Sequence, residues 1–225
     1  MIALVVFTDG RREHLPWTIP SFEAMATGPV SERYIVDDSG DPENHEWVSR
    51  VFPGFELVRH PSGNRQGFGG AIRTGWDHLR RYSSADLIFH LEDDFTFNRP
   101  VDLLDLAAVL AQRPHVAQVA LRRQPWNERE ALAGGIVEQH PSAYTDERDD
   151  HGREWLEHRQ FFTTNPTLYR RSLIVEHEWP EGDRSEGRFS IDLLGDPDLR
   201  FAFYGARDSG EWVHHHGNTR NGTGY

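Results

Sequence analysis

The sequence predicts an α/β protein with a mostly parallel central sheet covered by helices on both faces. Three observations carry this: apolar, β-branched runs recur through the first half of the chain, stretches of helical character separate them, and polar clusters follow the runs. Residues 2–7 form a continuous apolar run, and 34–36, 55–58, 87–91 and 116–121 repeat the pattern, as strands buried on both faces do. Between them, 16–26, 43–52, 70–81 and 101–112 have helical character. In the last of these Val101, Leu104, Ala108 and Ala111 recur at helical spacing, Pro100 stands where a first turn tolerates it, and Pro114 follows the end.

From 122 to 160 the pattern dissolves into a polar stretch with Gly134-Gly135, Pro141 and a charge run over 146–153, which reads as a long functional loop or an inserted subelement. Helices are expected again near 170–176 and 186–194, and strands at 201–204 and 211–214. No repeat or linker divides the chain, so residues 1–225 read as one domain.

A chain of 225 residues buries about 70% of its surface on folding, enough for one full core. Its 37% hydrophobic and 27% charged residues exclude a disordered chain. The apolar runs are too short to span a bilayer, and the first lacks the basic start and the length of a signal peptide. With no cysteine there is no disulfide framework, thiol nucleophile or thiolate metal site. A cytoplasmic protein without a membrane span is the expectation. Thirty-six acidic against 24 basic residues, all arginine, give a charge of −12, which argues against a nucleic-acid partner.

In an open parallel sheet, ligands bind beyond the carboxyl ends of the strands. Thr8-Asp9-Gly10-Arg11 follows the first run, Asp37-Asp38-Ser39-Gly40-Asp41 the second and Glu92-Asp93-Asp94 the fourth, so three polar clusters converge on one edge. The three adjacent carboxyl groups of Glu92, Asp93 and Asp94 repel one another unless a cation joins them, and hard oxygen ligands suit Mg²⁺ or Mn²⁺. The competing reading is a solvated acidic turn that caps the next helix. Asn64 to Gly70 sets glycines, Gly67 among them, ahead of a helix that carries Arg73. Such glycines permit close backbone approach to a phosphate or sugar, and a helix N-terminus favours an anion. This spacing is neither a P-loop nor the dinucleotide fingerprint. Near the C-terminus, His214-His215-His216 follows an expected strand; alternation puts at most two of the rings on one face, where one can be a metal ligand, and a surface histidine run is the rival reading.

Taken in order, Val36 to Asp41, Asn64 through Gly75, Leu91-Glu92-Asp93-Asp94, an acidic segment and a His-Gly ending resemble the motifs of family 2-like glycosyltransferases of the GT-A fold. The resemblance covers residues 1–121 and, more loosely, 161–218. It implies a nucleoside-diphosphate sugar donor, by preference a UDP-sugar, across the strand ends of a donor half at 1–121. An acceptor-side half then occupies 122–225. It implies a base site near Thr8 and Asp38, with Asp9 and Arg11 also in the donor site, and Arg65 and Arg73 facing donor phosphate or sugar. It places Mn²⁺ or Mg²⁺ on Asp94, with Glu92 or Asp93 meeting ribose or metal-bound water. The late histidine ligand falls on the 214–216 run, where the His-Gly pairing favours His216 and His214 stays open.

An inverting transfer needs a carboxylate that takes the proton of the acceptor hydroxyl. The resemblance sets this base at the start of a late helix, on Glu186, with Asp192, Asp183 and Glu178 as rivals. The 122–160 stretch is expected to carry acceptor specificity, Trp126, Trp155 and Trp179 to offer faces for sugar stacking, and 221–225 to form a flap. Two other functions compete: a nucleotidyltransferase that forms a nucleotide-sugar, and a nucleotide- or carbohydrate-binding module without turnover.

Overall fold

A computed structural model describes residues 1–219; the expected flap at 221–225 lies outside the described residues. The chain opens with β1 (Ile2–Thr8), α1 (Leu15–Met25), β2 (Ala26–Thr27) and β3 (Val30–Asp37). It continues through α2 (Pro42–Val51), β4 (Glu56–Val58), α3 (Gly67–Tyr82), β5 (Leu87–Glu92), β6 (Phe95–Phe97) and β7 (Val101–Asp102). Then come α4 (Leu103–Gln112), β8 (Val116–Ala120), α5 (Glu128–Ala133), α6 (Ile136–Gln139), β9 (Tyr144–Arg148) and β10 (Glu154–His158). The last elements are β11 (Thr167–Arg170), α7 (Arg171–Glu176), α8 (Ser185–Leu194), β12 (Arg200–Tyr204) and β13 (Val213–His215).

Nine strands form one sheet in the order β4-β3-β1-β5-β11-β8-β12-β10-β9. The stretch from β4 to β5 is parallel, β11 runs antiparallel to both β5 and β8, and β12 is again parallel to β8. Alternation along β1 sends Leu4 and Val6 to one face and Ala3, Val5 and Phe7 to the other. The first face meets α1 and α4 through Leu15, Ile19, Phe22, Leu103, Leu106 and Leu110, and the second meets α3, α7 and α8 through Ile72, Trp76, Leu79, Ile174 and Phe189. Helix α3 comes close because residue 75 is glycine: a Cβ there would lie 2.7 Å from Phe7 Cε1 and 3.0 Å from Val36 Cγ2.

Several boundaries differ from the sequence reading. Helix α4 starts at Leu103, not in a first turn at Pro100, because the Asp102 side chain accepts from Leu104 N–H (2.9 Å) and caps it. Helix α3 starts at Gly67, so part of the expected glycine loop is its first turn. Of the two readings of 122–160 the inserted subelement holds and the loop does not: the stretch contains α5, α6 and the hairpin β9–β10, which finishes one edge of the sheet. Strand β11 was not anticipated, and β13 pairs with β6 in a small separate sheet. Trp155 and Trp179 are buried in the core and present no face to a sugar. Among the described residues no helix is long and apolar enough to cross a membrane.

Candidate active site

The ends of β1, β3 and β5 meet at one edge. Asp38 N–H donates to Thr8 O and Asp93 N–H to Phe7 O, each at 2.9 Å, so the residues after β3 and β5 are tied to β1. Thr8 Oγ1 donates to Asp93 Oδ2 (2.6 Å). Arg11 then joins three carboxylates: Nη1 is 2.9 Å from Asp94 Oδ2, Nη2 bonds Asp93 Oδ1, and Nε is 2.9 Å from Asp9 Oδ1. Arg65 Nη2 reaches the other oxygen of Asp9 at 2.8 Å. Asp38 Oδ1 accepts from Gln66 N–H (2.7 Å), while Asp38 Oδ2 is buried with no hydrogen-bond partner among the described residues.

The electrostatics follow from burial in this cluster. Asp93 and Asp94 are 0% and 2% exposed. Burial drives Asp93 up to about 7 against the pull of Arg11. Burial would raise Asp94 too, but His215 and Arg11 outweigh it and hold that carboxyl below the usual range. Burial likewise works against the charge of Arg11, and Asp93, Asp94 and Asp9 more than offset it, so the guanidinium is held above its ordinary value.

The histidine run divides as a strand must, and it is the middle residue, not the expected His214 or His216, whose ring meets the acidic cluster. His215 is the residue that meets Asp94, with Nε2 at 3.3 Å from Oδ2. Its ring is clamped between Phe95 (centroids 4.4 Å apart, 8° between planes) and Trp126 (4.6 Å, 17°). Gln124 fixes the backbone on both sides, Oε1 accepting from His215 N–H (2.8 Å) and Nε2 donating to His215 O (2.7 Å). His216 Nε2 lies 2.9 Å from Thr96 Oγ1 instead, and its ring packs on His214 at 4.7 Å. The reason is register: Val213 is buried, and only its i+2 neighbour shares its face. Gly217 completes the contact, since a Cβ there would stand 2.7 Å from His215 Nε2 and 2.8 Å from Asp94 Oδ2.

Beside this cluster opens a cavity of about 950 Å³, lined by Gly67 to Gly70, Arg73, Glu92, Arg123, Trp126, Thr164, Glu186 and His215 among others. Helix α3 presents its first turn there with no side-chain cap, and Arg73 Nη1 is braced on Pro180 O (3.1 Å). Glu186, in the first turn of α8, accepts at Oε1 from Thr164 N–H (2.7 Å) and Thr164 Oγ1 (3.1 Å). Thr164 hydrogen-bonds Glu92 as well. Burial raises both carboxyls, Glu92 further by the nearby charge of Asp94 and Glu186 in spite of the bonds from Thr164.

The expected residues therefore fall into three groups. Thr8, Asp9, Arg11, Asp38, Arg65, Asp93 and Asp94 form the strand-end cluster; Gly67, Arg73, Glu92 and Glu186 line the cavity; His216 touches the cluster through its backbone N–H, which donates to Asp94 O (2.8 Å), and Asp192 and His214 belong to neither. Asp192 is exposed on α8 and does not line the cavity. Trp126, expected as a face for a sugar, lines the cavity, whereas the bonds from Thr164 to Glu186 and the closeness of Gly217 to His215 and Asp94 are not among the sequence expectations. The acidic cluster does not fit a divalent ion as it stands. Both acceptor directions of Asp94 Oδ2 face Arg11 and His215, and among the described residues no group of three or more His, Asp or Glu side chains is arranged to hold a metal.

No protein-family model matches the sequence, and no curated protein matches it either. Solved structures do. S. aureus TarS 1–349 superposes with a TM-score of 0.64 at 14% identity, over 95% of this chain and 60% of that one. The same protein in complex with UDP-GlcNAc matches over 99% of this chain and 59% of its own, again at TM-score 0.64 and 14% identity. CMP:2-keto-3-deoxy-manno-octonic acid synthetase complexed with CTP matches with a TM-score of 0.52 at 16% identity, over 90% of this chain and 88% of that one. The fold is thus GT-A-like, shared by nucleotide-sugar transferases and nucleotidyltransferases. The chain spans less than two thirds of the TarS fragment.

Proposed function

We propose that the protein is a glycosyltransferase that moves a sugar from a nucleoside diphosphate to an acceptor hydroxyl with inversion. The observation that carries this reading is Glu186: a carboxyl fixed by Thr164 N–H at 2.7 Å in the wall of a cavity that opens beside the strand ends. One positioned carboxylate is what a single displacement needs. Glu186 takes the acceptor proton as the hydroxyl oxygen bonds the anomeric carbon, and the bond from that carbon to the diphosphate oxygen breaks, with its electron pair leaving on the diphosphate.

The other residues have roles to match. Asp38 Oδ2 is an open acceptor for a base N–H at the far end of the donor. The uncapped first turn of α3 and the braced guanidinium of Arg73 face the diphosphate. Trp126 stacks on His215, has the Arg123 guanidinium 5.2 Å from its ring centroid, and lends the cavity wall a cationic and aromatic edge. Thr164 fixes the base: its N–H and its hydroxyl both donate to Glu186 Oε1, beside a Glu92 carboxyl that burial and the charge of Asp94 raise.

The test is binding and slow hydrolysis of UDP-, GDP-, TDP- and CMP-sugars by wild type and Glu186→Gln. Recognition of one donor, with hydrolysis lost but binding kept in the variant, supports the reading. No binding of any donor overturns it. The synthetase likeness, which extends over 88% of that chain, favours a second reading in which a nucleoside triphosphate is attacked at its α-phosphate. Pyrophosphate release from a triphosphate and a sugar acid or sugar phosphate would bring that reading to the front.

A further inference from the structure

We infer that Arg11 is the built-in cation of the acidic cluster and that a donor diphosphate is bound here without a divalent ion on Asp94. The inference deepens the donor-binding part of the reading above and rests on it. Its ground is the fork geometry. A guanidinium presents five N–H groups in one plane, and here its two terminal nitrogens hydrogen-bond two carboxylates, Nη2 that of Asp93 and Nη1 that of Asp94, while Nε pairs by charge with Asp9 at 2.9 Å from a second strand end. The ionised carboxylate of Asp94, 2% exposed, needs a paired cation in the fold itself, before any ligand arrives. Arg11, with a side chain only 12% exposed, is that partner.

The same geometry leaves little room for a metal. A Mg²⁺ or Mn²⁺ ion on Asp94 Oδ2 would sit about 2.1 Å from an oxygen that already faces Arg11 Nη1 at 2.9 Å and His215 Nε2 at 3.3 Å. Two positive charges would then share one oxygen, and no second and third ligand stand ready. Asp94 Oδ1 is buried without a hydrogen-bond partner among the described residues, so the carboxylate has one oxygen to spare and not a coordination shell. The charge that faces the donor phosphates comes instead from the first turn of α3 and from Arg73.

Mn²⁺ titration followed by electron paramagnetic resonance, with no nucleotide present, tests Arg11 independently of the donor reading. Wild type should bind Mn²⁺ at least tenfold more weakly than Arg11→Met, in which the carboxylates lose their guanidinium. In parallel, the affinity of wild type for UDP, GDP and TDP should be the same with excess chelator as with Mn²⁺. Stoichiometric Mn²⁺ binding by wild type as tight as in the variant, or loss of nucleotide binding on chelation, overturns the inference. Where Arg11→Met does not fold, Arg11→Lys retains a charge with fewer donors, and the wild-type titration decides alone. If no nucleotide binds under any condition the transferase reading fails, while the Mn²⁺ titration still reports on Arg11.

Discussion

His215 Nε2 lies 3.3 Å from Asp94 Oδ2, which ties β13 to the residues that follow β5. That pairing depends on the bare backbone of Gly217, where a methyl group would come within 2.8 Å of both partners. Gly217→Ala should therefore push the pair apart and weaken donor binding at least tenfold, with a Tm close to wild type because the contact lies at the rim of the core. Calorimetric titration and a thermal melt measure the two; unchanged affinity would remove the pair from the site.

Replacing Glu186 by Gln should lower transfer by about 10²–10⁴-fold, the usual contribution of a positioned base. The amide oxygen of Gln still accepts from Thr164 N–H, so the melting curve should be unchanged. In wild type, turnover should rise with pH through a value above the ordinary Glu range, because burial raises this carboxyl and only its ionised form takes a proton. That limb should vanish from the residual rate of the variant, and its persistence would point to another base.

Asp93 carries a stability prediction whose sign runs opposite to that of most paired carboxylates. Its folded value is raised to about 7, so its neutral form is the one the fold favours. The stability it contributes is fully present below the unfolded value near ~3.9 and is lost as pH rises to about 7. Denaturant titrations at pH 4, 5, 6 and 7 should show wild type losing stability relative to Asp93→Asn over that interval. A constant difference would mean that Asp93 is ionised throughout.

Gly75→Ala tests the seating of α3 and not the chemistry. The new methyl would meet Phe7 and Val36 at 2.7–3.0 Å, an overpacking that costs about 1–3 kcal/mol. The Tm should fall by several degrees, at about 2–4 °C per kcal/mol for a chain of this size, while activity per folded molecule is kept.

What the sequence revealed, and what it hid, has physical reasons. Strands β1, β5 and β8 are buried on both faces and so are mostly apolar, which makes them visible as runs. The hairpin β9–β10 closes an edge and carries Asp146 on one face and Glu147 and Glu157 on the other, so its sequence reads as a charged stretch without strand alternation. Strand β11 is four residues long and runs against its neighbours, a placement that no local pattern encodes. For the site, the order of the acidic and glycine clusters was readable because each follows a strand end. The choice among three consecutive histidines was not, although buried Val213, two residues before His215, held the signal in the alternation of the strand. The hold of Thr164 on Glu186 was half hidden, because beside its hydroxyl it uses a backbone N–H, which every residue but proline possesses.

The place of β11 has a consequence for how the molecule is made. Strands β5 and β8 are near neighbours along the chain, yet in the sheet they touch only through β11, which runs from Thr167 to Arg170. A ribosome adding about 5–20 residues per second needs about 3–10 s to go from the end of β8 to the end of β11. For that interval the nascent chain carries three unpaired strand edges in what will be the middle of its sheet, one on β5 and both on β8, the kind of edge that recruits a stray strand from another chain. The keystone arrives after the stones on both sides of it, so a fragment cut at residue 121 would expose the same open edges permanently and should aggregate where the whole chain does not.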